Sequence, residues 1–337
     1  MQNSKPIRKI LIIQTASIGD VILATPVIEA LHKSYPDAVI DFLMKDGFQS
    51  LLEGHPHLHH ILGWNKKEDK YGNLRAIIKY VREQRYDVVV NLQRFFSTGL
   101  IATLSGAPIR AGFSKNPLSF LFTHKAKHLI GNNNSTPHET ERNLSVIEGF
   151  AKTAKKRPAL YPSQKAFAKV SQFKTGKYIC IAPASLWLTK QYPEKKWVEF
   201  IDKIPSDTNV ILIGSDDDKE VSKSIIKNTK NQKVLDLCGK LNLLESAALI
   251  RDASMNYVND SAVLHLCSAM NAPVTAIFCS TVPAFGFGPL SDDSNVVEVR
   301  KQLSCRPCGL HGKKECPEGH FKCALDIDSD ELMNRLK

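Results

Sequence analysis

Short apolar runs alternate with segments of helical periodicity along the chain, and this rhythm restricts the fold more than any single residue does. Ile10–Gln14, Ala38–Met44, His60–Trp64 and Tyr86–Leu92 read as strands. Between them, Asp20–Tyr35 carries Val21, Ile22, Val27, Ile28 and Leu31 at helical spacing, and Leu74–Arg85 carries Leu74, Ile77, Ile78 and Val81. Phe48–Leu52 reads as a short helix. Runs such as Val88–Val90 are apolar residue after residue, as strands covered on both faces are, which predicts a mostly parallel sheet flanked by helices. The segment Asn116–Pro137, with its polar run Gly131–Thr136, reads as a loop; a helix over Arg142–Ala154 and a basic linker, Lys155–Pro162, follow.

The pattern then repeats. Tyr178–Ala182, Asn209–Gly214, Met255–Val258 and Pro273–Cys279 read as strands; Glu194–Ile204, Lys219–Thr229, Leu243–Arg251 and Ala262–Met270 read as helices. A length of 337 residues suits two domains at roughly 150 residues each. The expected bounds are 1–155 and 156–325, with a C-terminal helix over 326–337. Two doubly wound sheets place ligands at the carboxyl ends of their strands.

Charge separates the halves. The chain holds 45 basic and 34 acidic residues; residues 1–160 contribute 22 and 13 of them, so +9 of the net +11 lies in the first half. That half is suited to an anionic partner. The basic residues are dispersed, and no aromatic-rich module accompanies them, which argues against a nucleic-acid partner. No apolar run reaches the roughly 18–20 residues of a membrane span, and Gln14, Ser17 and Asp20 interrupt the N-terminal apolar run where a signal peptide would continue. A cytoplasmic location is expected, in keeping with four cysteines (Cys180, Cys238, Cys267 and Cys279) scattered singly through apolar segments.

Several strand-to-helix junctions carry chemistry. Thr15–Asp20 follows the first strand with small residues, where a helix start favours an anion; Asp20 itself is also an ordinary first-turn residue. Pro183-Ala184-Ser185 through Lys190-Gln191-Tyr192-Pro193 offers a hydroxyl and a compact positive charge to a diphosphate. Asn259-Asp260-Ser261 through His265 opens a helix after a strand, where free N–H groups meet phosphate oxygens. Asp216 and Asp218, after another strand, could accept from a ribose or simply favour a helix start. Cys305, Cys308, Cys316 and Cys323 are spaced C-x2-C-x7-C-x6-C and could close a structural zinc site, stay reduced or form a disulfide. His55, His57, His59 and His60 lack a carboxylate pattern in the sequence around them, so a metal there is not expected.

Taken together, these pieces resemble glycosyltransferase family 9, the heptosyltransferases. The resemblance rests on Ala16–Val21, Arg110–Phe113, Lys190-x-x-Pro193, Leu237–Lys240, Asn259–Ala262 through His265, and Ala269–Pro273; the cysteine-rich tail is similar to the heptosyltransferase II branch. Ala262 stands where the family most often has glycine. The resemblance implies two Rossmann-like domains facing across a cleft, the GT-B architecture. It implies an inverting transferase with no cofactor required for catalysis, an ADP-heptose donor held by the second domain, and an anionic Kdo–lipid A acceptor met by the first. Asp20 becomes the general base, with Ser17, Gly19 and Arg94 on the acceptor side. Ser185, Lys190, Asp260, Ser261 and His265 line the donor site. Peripheral contact with the inner membrane face follows from the acceptor. A related transferase using another nucleotide sugar, or a sugar-nucleotide epimerase, would share most of these features.

Overall fold

The computed structural model describes residues 6–131, 136–154 and 156–336. It divides into two units: 1–130 with 137–161, and 131–136 with 162–337. The division after Tyr161 falls a few residues beyond the expected linker start, because the chain remains tied to the first helix. Ala159 N–H donates to Thr25 Oγ1 (2.9 Å) and Tyr161 Oη donates to Glu29 Oε1 (2.9 Å).

The first unit runs β1 (Lys9–Ile13), α1 (Ile18–Ser34), β2 (Val39–Lys45), β3 (His60–Trp64), α2 (Lys70–Glu83), β4 (Val88–Asn91), α3 (Phe96–Leu104), β5 (Ile109–Phe113), β6 (His124–Ala126) and α4 (Glu139–Ser145). All its strand pairs are parallel, in the order β3-β2-β1-β4-β5-β6. Ile10–Ile13 and Val88–Val90 are completely buried, which explains their unbroken apolar sequence.

The second unit runs α5 (Gln164–Ser171), β7 (Tyr178–Ala182), α6 (Glu194–Ile201), β8 (Asn209–Leu212), α7 (Lys219–Asn228), β9 (Val234–Asp236), α8 (Leu243–Arg251), β10 (Met255–Asn259), α9 (Ala262–Met270), β11 (Val274–Phe278), β12 (Ser294–Glu298), α10 (Lys322–Leu325) and α11 (Asp330–Met333). Its sheet is parallel too, in the order β12-β11-β10-β7-β8-β9. In each sheet the strand order therefore reverses between the first and fourth strands, at β1/β4 and β7/β10. Such switch points are where open α/β sheets hold ligands.

Several local expectations change. Phe48–Leu52 is a 3-10 turn over Gln49–Leu51. The helix expected over Arg142–Ala154 starts earlier and ends sooner, at Glu139–Ser145, since a capping box between His138 and Glu141 sets its start. The Asn116–Pro137 loop contains the edge strand β6; the part of its polar run at 132–135 lies outside the described residues, as does Lys155 of the linker. The helix expected over 326–337 is only the four-residue α11. What anchors that tail is packing: Ile327 and Leu332 are buried in the second core with Trp197, Phe200 and Tyr257.

Candidate active site

In the first unit, the turn between β1 and α1 is built by a reciprocal cap. Ser17 is the N-cap; Asp20 Oδ2 accepts from Ser17 N–H (3.1 Å) and from Ser17 Oγ–H (2.6 Å), while Ser17 Oγ accepts from Asp20 N–H (3.3 Å). Gly19 is buried within that first turn. Asp20 thus performs the structural duty its position allowed, and its carboxylate is fixed at the carboxyl end of the sheet. Beside it, Lys66 Nζ donates to Thr15 Oγ1 (2.7 Å) and to Thr15 O (3.0 Å), 4.7 Å from the Trp64 ring centre. Burial, and then repulsion from Lys45, lower the Lys66 pKa to about 8. Gln93 Nε2 donates to Gln14 Oε1, which closes the β1/β4 switch point; Arg94 follows, half-buried. Sequence reasoning missed Lys66, because its meeting with Thr15 spans 51 residues.

In the second unit, the loops after β7 and β10 converge at the other switch point. Lys190 Nζ lies 2.7 Å from Asp260 Oδ2, with the two side chains only 15% and 8% exposed. This lysine is not the solvated loop residue that its sequence context permits. Thr281 Oγ1 donates to the same Asp260 oxygen (2.6 Å), and Ser185 Oγ donates to Asp260 O (3.4 Å). Asn259 Nδ2 donates to Pro183 O (2.8 Å) and its Oδ1 accepts from Tyr192 N–H (2.9 Å), so one buried amide spaces the two loops. Ser261 is the N-cap of α9; its Oγ makes no cap bond and is buried without a hydrogen-bond partner. A buried hydroxyl in that state costs about 1–3 kcal/mol, a cost removed when an acceptor arrives. His265 is buried one turn into α9, 6.5 Å from the Phe287 ring. Asp218 Oδ2 accepts from Ser215 N–H (2.7 Å) and Oγ–H (2.8 Å), and Asp216 pairs with Lys219; both carboxylates serve the start of α7.

The match to known families follows this geometry. Residues 74–321 match the model of glycosyltransferase family 9 (heptosyltransferase). The chain belongs to that family. It is 28% identical over 280 residues to lipopolysaccharide heptosyltransferase 3 of Escherichia coli, covering 78% of this chain and 81% of the relative. It is 24% identical over 351 residues to lipopolysaccharide heptosyltransferase 2 of Escherichia coli K12, covering 97% of each. The solved structure of the E. coli ADP-heptose lipopolysaccharide heptosyltransferase II superposes with a TM-score of 0.78 at 23% identity, covering 97% of each chain, a likeness of fold. The chain is thus a glycosyltransferase with two six-stranded parallel sheets, and the resemblance read from its motifs holds.

In this glycosyltransferase the cysteine-rich segment supports the second-unit site mechanically. Arg306 donates to the carbonyls of Phe278 (3.1 Å), Cys279 (2.6 Å) and Thr281 (2.8 Å), and it pairs with Glu298 (2.6 Å). Thr189 Oγ1 accepts from Lys313 N–H (2.7 Å) and from Ser280 Oγ–H (3.0 Å). At φ +70°, Gly312 lies on Trp187 and Lys190, where a Cβ would come within 3.0 Å of both side chains. Thr281 and Arg306 were not visible as site residues in the sequence, since only tertiary contact relates them to the Lys190 loop; Thr189 adjoins Lys190 in the chain, but its bonds to Ser280 and Lys313 are tertiary.

Cys305, Cys308, Cys316 and Cys323, the expected zinc set, remain neighbours in the fold but are not drawn together to ligand spacing. All eight cysteines are free. A four-sulfur site with zinc–sulfur bonds near 2.3 Å needs its sulfurs roughly 4 Å apart. Among the described residues, no three of these thiols gather their ligand atoms within 4.8 Å of one another. Cys323 is directed into the hydrophobic core, and burial pushes its thiol up to about 11. Cys305 Sγ instead approaches His320 Nε2 (3.8 Å), and Cys316 Sγ accepts from Phe321 N–H (3.4 Å). No helix among the described residues is long and apolar enough to cross a membrane.

Proposed function

We propose that this glycosyltransferase moves a heptose from ADP-heptose to the inner core of lipopolysaccharide, with inversion and without a catalytic metal. The observation that carries the donor assignment is the Lys190–Asp260 pair beside the unpartnered Ser261 hydroxyl, at the switch point of the second sheet. A compact cation, a free hydroxyl and the N–H groups opening a nine-residue helix form a set of donors suited to a diphosphate. The names of its relatives, lipopolysaccharide heptosyltransferases 3 and 2, and of the ADP-heptose enzyme whose fold it shares support the sugar and the acceptor.

On this reading Asp20 takes the proton from the acceptor hydroxyl as its oxygen attacks the anomeric carbon. The bond from that carbon to the diphosphate oxygen breaks on the opposite face, which inverts the centre, and ADP leaves with the electron pair. Lys190 stabilises the charge growing on the diphosphate, and Asp260, itself held by Thr281, keeps the ammonium aimed. Ser185 and Ser261 donate to phosphate oxygens, and His265 closes the wall of the site. Asp216 and Asp218 stand at the strand end where a ribose would lie. In the first unit, Lys66 and Lys45 provide the positive field for an anionic acceptor.

Contact with the cytoplasmic membrane face is part of the proposal. Phe95, Phe96, Phe120 and Leu121 are exposed. The loops that carry them are pinned together by Asn116, whose Nδ2 donates to Phe95 O (2.9 Å), and Lys115 is exposed beside them. Exposed apolar side chains beside a lysine suit an anionic lipid surface.

Calorimetry against ADP, UDP, GDP and their sugar conjugates tests the donor, followed by transfer to a Kdo–lipid A acceptor. ADP forms should bind at least tenfold more tightly. Preference for UDP or GDP forms overturns the ADP assignment; conversion of the donor with no acceptor present identifies an epimerase instead.

A further inference from the structure

The histidines at 55–60 have no carboxylate pattern interleaved with them in sequence, but folding supplies a distant carboxylate to each pair. His55 and His57 each come within 3.6 Å of Glu29 on α1. His59 and His60 come to Asp41 on β2, and this second group differs in kind. Asp41, His59 and His60 are the one set of three or more potential ligands, among the described residues, whose ligand atoms all lie within 4.8 Å of one another. Parallel register sets Asp41 opposite His60, which puts both side chains on one face of the sheet. His59 Nδ1 lies 3.4 Å from Asp41 Oδ1, and the two imidazoles are in contact at 4.0 Å between ring centres.

Asp41 is an unusual residue to find there. Its side chain is 1% exposed in the middle of a parallel sheet, and among the described residues no lysine or arginine pairs with it. Tyr86 Oη donates to Oδ2 (2.6 Å) and His60 N–H donates to Oδ1 (3.1 Å). These bonds orient the carboxylate without neutralising it, and a buried charge without a cation is costly. Oδ1 is aimed outward, at two exposed imidazoles.

We propose that Asp41, His59 and His60 bind a divalent transition metal of the zinc, cobalt or nickel class. Two imidazole nitrogens and one carboxylate oxygen are the donor set such borderline cations select, whereas magnesium and calcium take oxygen. Bond lengths near 2.0–2.2 Å require the donors to close to roughly 3.3 Å, a change the two exposed rings accomplish by rotation while Asp41 stays fixed. Three protein ligands leave at least one position for water. The site is remote from the transfer chemistry: Asp41 lies near the amino end of β2, about 13 Å of strand from Lys45 at the carboxyl end. The metal would clip the edge strand β3 to β2, so its role is structural.

Cobalt(II) titration of the full-length, tag-free protein tests this, because cobalt reports its ligands by colour. The wild type should bind one equivalent showing d–d bands without the near-ultraviolet thiolate-to-metal band that ligation by Cys305–Cys323 would give. The exposed pair His59→Ala/His60→Ala should lose that equivalent, with affinity falling at least about 100-fold, while circular dichroism stays unchanged. His57→Ala, a histidine of the same loop held by Glu29, should keep it. A wild type that binds cobalt only with a thiolate band or not at all, a double variant that retains the equivalent, or a His57→Ala variant that loses it overturns the proposal.

Discussion

Replacing Lys190 by Met leaves a chain of similar length and deletes only the ammonium. At the 2.7 Å separation from Asp260, and with an effective dielectric constant of 20, the pair attracts by about 6 kcal/mol. Most of this offsets the desolvation of two nearly buried groups, so the net worth of the pair is small. Removing one partner is different, because Asp260 keeps its charge and, among the described residues, retains only the Thr281 hydroxyl on its carboxylate. Lys190→Met should then cost about 3 kcal/mol, equivalent to a fall in melting temperature of roughly 6–12 °C for a unit of this size. Asp260→Asn still accepts from Thr281, so in the double variant Lys190→Met/Asp260→Asn no charge is left buried. That variant should recover at least about 1.5 kcal/mol relative to the sum of the singles. Thermal melts of all four proteins, together with hydrogen exchange at residues 183–192 and 259–281, measure the coupling. ADP calorimetry on the same set separates fold from function, since the double variant should be stable yet bind ADP weakly. Additive single effects, or a double variant with undiminished ADP affinity, would refute this reasoning.

Asp20→Asn preserves an acceptor for Ser17 N–H, so its melting temperature should match the wild type while transfer falls about 10²–10⁴-fold; near-normal turnover removes Asp20 as the base. Asp20→Ala additionally loses the cap, at about 1 kcal/mol. Ser261→Ala deletes a hydroxyl with no partner, so stability should hold or rise while ADP binding weakens, and unchanged ADP affinity excludes Ser261 from the donor site. For Lys66, folding lowers a pKa from 10.5 to about 8, so between about pH 8 and 10.5 the unfolded chain carries the extra proton. Stability should therefore rise with pH across that window, and Lys66→Met should flatten the rise; a slope unaffected by the substitution would show that Lys66 does not titrate there.

How much of this was legible in the sequence depended on where each element sits in its sheet. The strands read directly were mostly inner ones: β1, β2, β4, β7, β8, β10 and β11 are largely buried on both faces and so announce themselves as mostly apolar runs. The strands passed over, β6, β9 and β12, lie at sheet edges; β6 and β9 have three residues each, and their mixed composition resembles loop sequence. β5, next to an edge, passed as a motif instead of a strand. At the site, residues at strand-to-helix junctions could be named because caps and phosphate sites use the same short patterns.

The sequence by itself determined the two parallel sheets and the strand-to-helix junctions proposed as the site, because buried strands and helix starts are local signals. Only the tertiary structure decided which groups meet. It joined Lys190 to Asp260 across 70 residues of chain and set Lys66 on Thr15. It also kept the four cysteines that their spacing had grouped as neighbours short of ligand distance, and gave Asp41 to two histidines that had seemed to lack a carboxylate. The physical reason is common to all four cases: spacing along the chain fixes which residues share an element, but the register and packing of distant strands fix which charges share a neighbourhood.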